Sequence, residues 1–562
     1  MKLTGAEIVV RTLIEQGVTD VFGYPGGQIL NVYDALYKYR DEINHVLTAH
    51  EQGAAHAADG YSRATGKVGV CIATSGPGAT NLVTGIATAM LDSIPMVAIT
   101  GNVPCSLIGK DSFQEIDITG VTLPITKHNY FVNDVNNLAD VIREAFAIAK
   151  SGRPGPVLVD VPKDVQQAIC EYEPQPVVEK IPLPTADDDL LAEAIKLINE
   201  SKRPYIYIGG GAAGLGLGGE IVDFAKKIGA VIGCTFMGLS AIPDGCDVFL
   251  GMQGMHGHYA SSIAQNEADL IIGIGVRFSD RATGNVAKYA KNSKIIQLDP
   301  DFAEIDKNVK VDCGIVGDVA DAFRRIVNGT SKSPESAWLD RINELKAEEQ
   351  RIEAEIAEEA TAQLPPRKVF DVINRVKPEG TVIVTDVGQH QMWTAQYVKF
   401  DKTRRFVSSG GLGTMGFGLG AAIGARVATG DTTLLITGDG SFGMNLNELA
   451  TAVSHNIPVI VLIMNNGVLG MVRQWQTLFF GARYSNTILT DRKTDFVKLA
   501  EAFGAVGYRA FNEQELEIAL TKAIEANCPV VIDAIIDKDE FVLPMLPPGG
   551  SVEEIITKVD RK

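Results

Sequence analysis

Short apolar runs alternate with stretches of helical period over almost the whole chain. Residues 68–74, 95–100 and 156–161 are such runs, and in the stretch 81–91 apolar residues recur every three or four positions. Runs that are apolar throughout are typical of strands buried on both faces, and their alternation with helices indicates βαβ units around a parallel sheet. The pattern therefore predicts an α/β fold.

Two connectors divide this pattern into three blocks. A proline- and charge-rich segment, 171–189, follows the first block, and a charged helical segment, 331–367, follows the second. Such segments are typical of linkers. The length of 562 residues also exceeds what one hydrophobic core supports. We predict three doubly wound parallel-sheet domains, at 1–170, 190–330 and 368–545.

Net charge and cysteine usage narrow the class of protein. The formal net charge of −18 disfavours binding to nucleic acids or anionic membranes. The seven cysteines are odd in number and never form a C-x-x-C pair, which argues for a reducing compartment and against a disulfide framework or a zinc site. No apolar run reaches the about 20 residues that span a membrane, and 1–10 lacks the apolar core of a signal peptide. We predict a cytoplasmic protein.

A candidate metal and diphosphate site lies in the third block. A Gly-Asp-Gly turn around Asp439 follows one apolar run, and an Asn pair ending at Asn466 follows the next, about one βαβ unit later. Parallel strands bring both to one edge of the sheet, where the Asp439 carboxylate, the Asn466 amide oxygen and the Val468 carbonyl suit Mg²⁺. Gly-Asp-Gly alone is also typical of a tight strand-to-helix turn. With the Asn pair at this spacing, it resembles the motif of thiamine-diphosphate-dependent enzymes.

Glu51 is the candidate catalytic residue. Activation of thiamine diphosphate requires a protein carboxyl, in a mostly apolar pocket, that exchanges a proton with the aminopyrimidine ring. Glu51 follows the apolar run 43–48, begins a helical stretch, and precedes Gly53, Ala54 and Ala55, which we expect to leave room for the ring. Taken alone, Glu51 is better explained as an ordinary glutamate at a helix N-terminus. Its pairing with the metal motif favours the catalytic interpretation.

Seven stretches, in chain order, carry a more specific resemblance. They are FGYPGG at 22–27, SFQE at 112–115, SGRPGP at 151–156, RFSDR at 277–281, GGLGTMG at 410–416, GMVRQW at 470–475 and LPMLPPG at 543–549. From about residue 3 to 549, the chain resembles the acetohydroxyacid synthase family, also called acetolactate synthases, of the biosynthetic type. Gln28 is a departure, because the family mostly carries a small residue after the two glycines of the first stretch. Beside the reacting carbon, Gln28 would narrow the entrance or add a hydrogen bond.

The resemblance implies an activity and an assembly. The enzyme would decarboxylate pyruvate and join the product to a second 2-keto acid. Pyruvate as acceptor gives 2-acetolactate and 2-ketobutyrate gives 2-aceto-2-hydroxybutyrate, in the first common step of valine, leucine and isoleucine biosynthesis. A homodimer or tetramer with active sites at the subunit interface is implied, together with a separate small regulatory subunit. An FAD-dependent pyruvate oxidase of the same fold is the alternative.

The resemblance also assigns the three domains, in order, to the pyrimidine of thiamine diphosphate, to FAD, and to the diphosphate with Mg²⁺. The implied thiamine-diphosphate contacts are Pro25, Gly26, Glu51, Gly76, Asn81, Gly388, Gln389, His390, Gly413, Met415, Asp439, Gly440, Ser441, Asn466, Val468, Leu469, Gly470 and Met471. The implied substrate contacts are Gly27, Phe113, Gln114, Lys163, Met255, Arg281 and Trp475. Among these, Trp475 would sense the size of the acceptor and Arg281 would clamp its carboxylate. For each residue alone, packing or a surface ion pair is the competing interpretation.

The central block offers a weaker motif. Residues 209–214 fit G-x-G-x-x-G after an apolar run, but no acidic residue follows at the end of the next run, so a plain turn explains the glycines better than a dinucleotide site does. The resemblance nevertheless implies FAD here, without a redox role in the main reaction. Its implied contacts are Arg153, Gly209, Gly210, Gly211, His256, Gly275, Arg277, Asp280, Asp299, Gly317 and Asp318.

Overall fold

Strands form at the short apolar runs, because a parallel strand covered by helices on both faces buries nearly every side chain. The computed structural model describes residues 1–177, 181–359 and 363–559. Within them the chain forms three successive six-stranded parallel sheets flanked by helices. The predicted α/β fold with three doubly wound sheets is confirmed. Residues 178–180 and 360–362, which belong to the two predicted connectors, lie outside the described residues.

Two short strands, β1 (Lys2–Thr4) and β8 (Ile169–Glu171), precede and follow the first sheet along the chain and pair antiparallel with each other. Its strands are β2 (Asp20–Gly23), β3 (Asn44–Leu47), β4 (Gly69–Ala73), β5 (Met96–Asn102), β6 (His128–Phe131) and β7 (Pro156–Pro162), in the order 3-2-4-5-7-6. Its helices are α1 (Gly5–Glu15), α2 (Leu30–Lys38), α3 (Glu51–Thr65), α4 (Pro77–Asn81), α5 (Val83–Asp92), α6 (Ile118–Thr122), α7 (Leu138–Lys150) and α8 (Lys163–Gln167).

The central sheet repeats this architecture. Its strands are β9 (Pro204–Ile208), β10 (Val231–Cys234), β11 (Phe249–Met252), β12 (Leu270–Ile274), β13 (Lys294–Asp299) and β14 (Cys313–Val316), in the order 11-10-9-12-13-14. Its helices are α9 (Asp188–Glu200), α10 (Gly210–Leu215), α11 (Gly218–Ile228), α12 (Tyr259–Glu267), α13 (Asp280–Thr283), α14 (Val319–Gly329) and α15 (Ser336–Glu359).

The third sheet follows the same plan. Its strands are β15 (Val382–Thr385), β16 (Phe406–Val407), β17 (Thr433–Gly438), β18 (Val459–Asn465), β19 (Val506–Ala510) and β20 (Val530–Ile535), in the order 16-15-17-18-20-19. Its helices are α16 (Pro366–Val376), α17 (Gln389–Tyr397), α18 (Gly418–Thr429), α19 (Asp439–Asn445), α20 (Glu448–Ser454), α21 (Gly470–Phe479), α22 (Phe496–Phe503) and α23 (Glu513–Glu525).

The charged connector before the third domain is mostly the long helix α15, which packs on α12. Trp338 anchors it, because the indole is buried and its Nε1 donates to the Pro204 carbonyl oxygen at 3.2 Å. The segment therefore belongs to the central domain over most of its length. None of the described helices is long and apolar enough to cross a membrane.

Two predicted helices differ from the structure in their boundaries. The helical stretch 81–91 consists of two helices, α4 and α5, that meet near Leu82. A second helical stretch, which the hydrophobic period predicts over 445–455, begins earlier in the structure, because α19 starts at Asp439, directly after the strand, and α20 follows after a break. Hydrophobic period alone missed this start, because Gly-Asp-Gly-Ser is a sequence of poor helix formers that tertiary burial holds in a helical turn.

The first and third domains meet where α3 crosses α18 with the two backbones in contact. A Cβ atom at Gly424 would lie 1.8 Å from the Ala57 carbonyl oxygen, and one at Gly60 would lie 2.1 Å from that of Ala421. Only glycine permits such an approach. The crossing therefore fixes the first residue of α3, Glu51, relative to the third domain.

Replacing Gly424 with alanine should force the two helices apart. We expect Gly424→Ala to lower the free energy of unfolding by about 1–3 kcal/mol, the usual cost of overpacking, measured as a fall in the unfolding midpoint. Gly219→Ala is the matched control, because Gly219 is also helical but a Cβ atom there meets nothing within 4 Å. That control should be neutral or slightly stabilising. Equal midpoints for the two variants would contradict the assignment.

Candidate functional site

The three sheets place the predicted motifs where their strand order reverses. The reversals fall between β2 and β4, between β9 and β12, and between β15 and β17. In open α/β sheets, ligands bind beyond the carboxyl ends of such strands. The segments that directly follow these six strands are 24–28 and 74–76, 209–211 and 275–276, and 386–390 and 439–441, and the last is the first turn of α19. The glycine-rich segments around Gly26, Gly209 and Gly440 therefore border these crevices.

Glu51 is half-buried at the start of α3, at the crevice of the first sheet. His50 caps the helix, because its Nδ1 accepts from the Gln52 amide at 3.1 Å. Asn81 Nδ2 donates to Glu51 Oε2 at 2.9 Å. A Cβ atom at Gly78 would lie 3.1 Å from Glu51 Oε1, so the second oxygen faces the glycine loop. The carboxylate is oriented by one amide and has small neighbours.

The surroundings of Gly53 differ from the expectation that this glycine leaves room for the cofactor's ring. Instead of room for a ring, the structure places the side chain of Glu448 there, and a Cβ atom at Gly53 would lie 2.1 Å from Glu448 Oε1. Glu448 Oε2 accepts from the Ala49 amide at 3.2 Å and from Thr451 Oγ1 at 2.6 Å. Burial raises the pKa of Glu448. The sequence could not reveal this contact, because Glu448 comes from the third domain.

Several predicted residues gather around the same crevice. A Cβ atom at Gly26 would lie 2.4 Å from a Thr74 methyl carbon, and Lys163 Nζ donates to the Gly27 carbonyl oxygen at 3.3 Å. Gln114 lies over Gly76, whose φ of 58° favours glycine. These contacts join segments that follow four different strands, β2, β4, β5 and β7.

Three further residues of this region differ in exposure. Phe113 is 85% exposed within its own chain. Gln28, the departure from the family, has its Oε1 buried with no hydrogen-bond partner among the described residues. Pro25 lies half-buried in the same loop.

Asp439 is the central acidic group at the crevice of the third sheet. It is 8% exposed, and backbone amides of Gly440 and Gly467 hydrogen-bond to it. Burial raises the pKa of Asp439 to about 6. In the described part of the chain it forms no salt bridge, so a positive charge supplied from outside would relieve the cost of its burial.

Oxygen donors lie next to this carboxylate. Asn466 follows β18, the neighbour of β17, and its Oδ1 accepts from the Val468 amide at 3.2 Å. Asn466 Nδ2 donates to Gln389 Oε1 at 3.3 Å. A carboxylate, an amide oxygen and the backbone carbonyl of Val468 form a donor set that fits Mg²⁺.

His390 offers an unpaired polar atom beside two glycines. Its Nε2 is buried without a hydrogen-bond partner in the ranges that the structure describes, and burial lowers the pKa of His390 to about 3. Cβ atoms at Gly388 and Gly438 would lie 2.9 Å and 3.0 Å from its ring atoms. A neutral imidazole nitrogen in a glycine cradle fits a polar ligand group.

The other predicted residues of this region make the following contacts. Ser441 Oγ donates to the Val387 carbonyl oxygen at 2.8 Å. A Cβ atom at Gly440 would lie 2.7 Å from Leu469 Cδ2 and 3.8 Å from Met415 Cε, and one at Gly470 would lie 2.0 Å from Gln389 Oε1. Gly413 has a φ of 70°, and Met471 packs against the adjacent core.

In the central domain, the glycine loop and the loop after β12 touch backbone to backbone. A Cβ atom at Gly209 would lie 2.0 Å from the Gly275 carbonyl oxygen, and one at Gly211 would lie 2.9 Å from Gly275 Cα. A Cβ atom at Gly210 would lie 3.2 Å from Met237 Cβ. Packing therefore requires the outer two glycines, whatever binds beside them.

Charged residues surround this central crevice. Arg153 Nη1 lies 2.5 Å from Glu304 Oε1, and Arg277 Nη1 donates to the Leu91 carbonyl oxygen at 2.6 Å. Burial raises the pKa of Asp299 to about 6. Glu304 is buried and escaped the sequence analysis, because a lone glutamate in a loop carries no motif.

Four other predicted flavin contacts lie away from these glycine loops or make contacts of their own. Asp318 caps α14 and accepts from the amides of Ala320 and Asp321, while Gly317 packs under the Pro184 carbonyl oxygen. The Asp280 side chain is 82% exposed. His256 is buried with Nδ1 unpaired within the described ranges, and burial lowers its pKa to about 4.

Predicted substrate residues from two domains come together beside the third sheet. Arg281 Nη1 lies 3.5 Å from Met255 Sδ, and the Arg281 guanidinium carbon lies 5.9 Å from the centroid of the Trp475 ring. A guanidinium, a thioether and an indole thus line one wall. No hydrogen bond or salt bridge among the described residues joins this wall, or Asp439, to Glu51.

Asp92 is a further residue that the sequence analysis missed. Its carboxylate is fully buried and lies 3.0 Å from Arg63 Nη2 and 3.8 Å from Arg277 Nη2. It also accepts from the amides of Gly410 and Gly411 at 3.0 Å and 2.8 Å. The side chain therefore joins all three domains, although an aspartate at the end of an amphipathic helix gives no sequence signal of this.

Family models match in the same three regions as the sheets. Residues 3–121 match "Thiamine pyrophosphate enzyme, N-terminal TPP binding domain", 191–326 match its central domain, and 386–534 match its C-terminal TPP binding domain. The models cover more than half of the chain.

Curated relatives extend the likeness over the full length. The chain is 45% identical to the probable acetolactate synthase large subunit of Methanocaldococcus jannaschii, over 99% of this chain and 96% of the relative. It is 45% identical to the acetolactate synthase large subunit of Corynebacterium glutamicum, over 99% and 90%. It is 42% identical to the acetolactate synthase isozyme 3 large subunit of Escherichia coli K12, over 100% and 99%.

The chain belongs to the acetolactate synthase large-subunit family. The family resemblance expected from the sequence is confirmed, and the relatives support a synthase rather than the pyruvate oxidase alternative. Within this family, the two thiamine-pyrophosphate domain models contain Glu51 and Asp439 respectively.

The buried Asp439 carboxylate should cost stability when no cation is bound. Its pKa of about 6 exceeds the ordinary 3.8, so the folded state keeps a proton between these pH values and stability falls as the pH rises from about 4 to 6. The Asp439→Asn variant has no carboxyl group to ionise, so its stability does not fall over this pH range. We expect the cofactor-free variant to be more stable than wild type by about 1–3 kcal/mol at pH 7 and equal to it near pH 4, in unfolding midpoints measured against pH.

Asp533→Asn is the control for this experiment. Asp533 is also buried, but it lies 3.0 Å from Arg509 Nε and accepts from Asn465 Nδ2 at 2.8 Å. Its replacement removes a buried ion pair, so we expect lower stability at pH 7. A loss of stability in both variants would show that Asp439 has an internal partner.

Proposed function

We propose that this chain is the catalytic subunit of an acetolactate synthase that condenses two pyruvates, or pyruvate and 2-ketobutyrate, with loss of CO₂. The observation that carries the proposal is the placement of Glu51 and of Asp439 with Asn466 at the crevices of the first and third sheets. These residues lie in the two thiamine-pyrophosphate domains of a chain 42–45% identical to such synthases over nearly its whole length.

Asp439, the Asn466 amide and the Val468 carbonyl would hold Mg²⁺ against a diphosphate. The absence of a salt bridge to Asp439 within the described residues and its raised pKa fit this role. The unpaired His390 nitrogen and the backbone at Gly440 and Ser441 would face the diphosphate and the first turn of α19. Bound thiamine diphosphate supplies the nucleophilic carbon and the electron sink for decarboxylation.

Glu51 would move a proton to and from the cofactor's pyrimidine ring. Its Oε2 is occupied by Asn81 Nδ2 at 2.9 Å, which leaves Oε1 beside Gly78 for the ring. Besides burial, the nearby charge of Glu51 raises the pKa of Glu448. A carboxyl held in one orientation suits general acid–base catalysis.

The wall of Arg281, Met255 and Trp475 would receive the second keto acid. The planar guanidinium suits a carboxylate, and the indole offers flat apolar contact to the acceptor's alkyl group. Trp475 and Arg281 come from different domains, so the wall exists only in the folded chain.

We propose that two copies of the chain complete each active site. Within one chain, none of the described polar contacts links Glu51 to Asp439. The first domain also exposes a row of apolar side chains, at Leu107, Ile108, Phe113, Val121 and Leu123, which a second copy would cover. Gly27, Gln114 and Lys163 would then face the acceptor wall of the partner. The large-subunit relatives further suggest a separate small regulatory subunit.

FAD is proposed for the central domain, 190–330. Arg153 and Arg277 lie at the junction with the first domain, beside the loops that hold Gly209 and Gly275. The unpaired His256 Nδ1 offers a further polar atom. The crevice suits a dianionic dinucleotide, and the proposal requires no redox role for it.

Glu51→Gln tests the proton-transfer role. Glutamine keeps the size of the side chain but cannot exchange the proton, so we expect acetolactate formation to fall by about 10²–10⁴-fold while thiamine diphosphate still binds. Glu42→Gln, at an exposed ion pair with Arg11, is the control and should keep full activity. Unchanged exchange of the cofactor's C2 hydrogen in Glu51→Gln would refute the role.

Trp475→Leu tests the acceptor wall. We expect acetolactate formation to survive and the preference for 2-ketobutyrate to fall by about tenfold, the worth of one methylene in an apolar pocket. The measurement is the product ratio from mixed pyruvate and 2-ketobutyrate. Trp475→Phe, which keeps an aromatic face, should retain most of the preference. A wild-type ratio in Trp475→Leu would make the indole a packing residue only.

A further inference from the structure

A separate group of metal-ligating side chains lies in the central domain. It consists of His258, which precedes α12, and of Glu349 and Glu353 on α15. His258 Nδ1 lies 3.2 Å from Glu349 Oε1, and one ligand atom from each of the three side chains lies within 4.8 Å of the other two. Residues four apart on a helix share one face, so both carboxylates point to the same side of α15.

The backbone holds the imidazole in place. The His258 amide donates to the Met252 carbonyl oxygen at 2.7 Å. Gly251 has a φ of 78°, and a Cβ atom there would lie 2.4 Å from His258 Cδ2 and 2.8 Å from Nε2. Only glycine leaves room for the ring. The ring therefore lies against Gly251, with Nδ1 turned towards Glu349.

The helix that carries the carboxylates is also fixed. Buried Trp338 donates to the Pro204 carbonyl oxygen, and Arg341 pairs with Glu267 on α12 at 2.7 Å. Metal–ligand bonds of 2.0–2.2 Å place neighbouring ligand atoms about 3–3.5 Å apart. The three ligand atoms are therefore close to that arrangement before any ion binds, and small side-chain rotations complete it.

The donor set selects the class of cation. An imidazole with two carboxylates suits Zn²⁺ and other first-row transition metals, whereas Mg²⁺ prefers oxygen donors alone. Arg367 Nη1 occupies Glu353 Oε2 at 2.9 Å, which leaves Oε1 for the ion. His258 and Glu349 have side chains only 21% and 18% exposed, so the site is sheltered but reachable from solvent.

We propose that His258, Glu349 and Glu353 form a second divalent-cation site, which takes Zn²⁺ or a similar transition metal. The ion would tie α15 to α12 shortly before the chain enters the third domain. The site uses none of the residues assigned to thiamine diphosphate, Mg²⁺, FAD or substrate. Its failure would therefore leave the proposed synthase activity untouched.

The test uses the full chain with thiamine diphosphate and excess Mg²⁺, stripped of transition metals and then titrated with Zn²⁺ by calorimetry. We expect one Zn²⁺ per chain and a rise in the unfolding midpoint on binding. Co²⁺ should give visible absorption of an imidazole–carboxylate site. Glu349→Gln and His258→Asn should each weaken binding by at least about tenfold.

His128→Asn is the matched control, because His128 is an exposed histidine on β6. It should leave the Zn²⁺ affinity and the Co²⁺ spectrum unchanged. Wild-type affinity in Glu349→Gln, or an equal loss in His128→Asn, would overturn the proposal. Glu349→Gln keeps the shape of the side chain and decides the question if His258→Asn fails to fold.

Discussion

The backbone contact between α3 and α18 is the constraint on which the rest of the arrangement depends. Gly60 and Gly424 allow the two helices to touch, and α3 begins at Glu51. A buried side chain reinforces the contact, because Arg63 on α3 pairs with Asp59 and Asp92 of its own domain and its Nη1 donates to the Ser408 carbonyl oxygen of the third domain at 2.7 Å. Separating the helices would leave this buried donor without its acceptor, which makes the domain contact costly to relax.

The same contact sets the position of the first sheet's crevice relative to that of the third. Among the described residues, no polar contact joins Glu51 to Asp439. The proposal that a second copy completes each site rests on this observation and on the exposed apolar side chains around Phe113.

Within the described residues, a buried carboxylate without a salt bridge and a buried ring nitrogen without a hydrogen bond mark the functional groups more clearly than exposure does. Asp439 and His390 are buried with raised and lowered pKa values respectively. Evolution retains such costs where a ligand offsets them. In a chain of net charge −18, a diphosphate needs these local features and a metal ion, since the overall field repels it.

The sequence by itself determined the α/β class, the three sheets and the loops that carry chemistry, because strand period and glycine turns are local properties. It indicated Glu51 and Asp439 as candidates through motif and spacing. Only the tertiary structure decided that Glu448 fills the space above Gly53 and that Asp92 joins three domains. Those contacts link residues hundreds of positions apart, and no local pattern encodes which distant side chain a buried space receives.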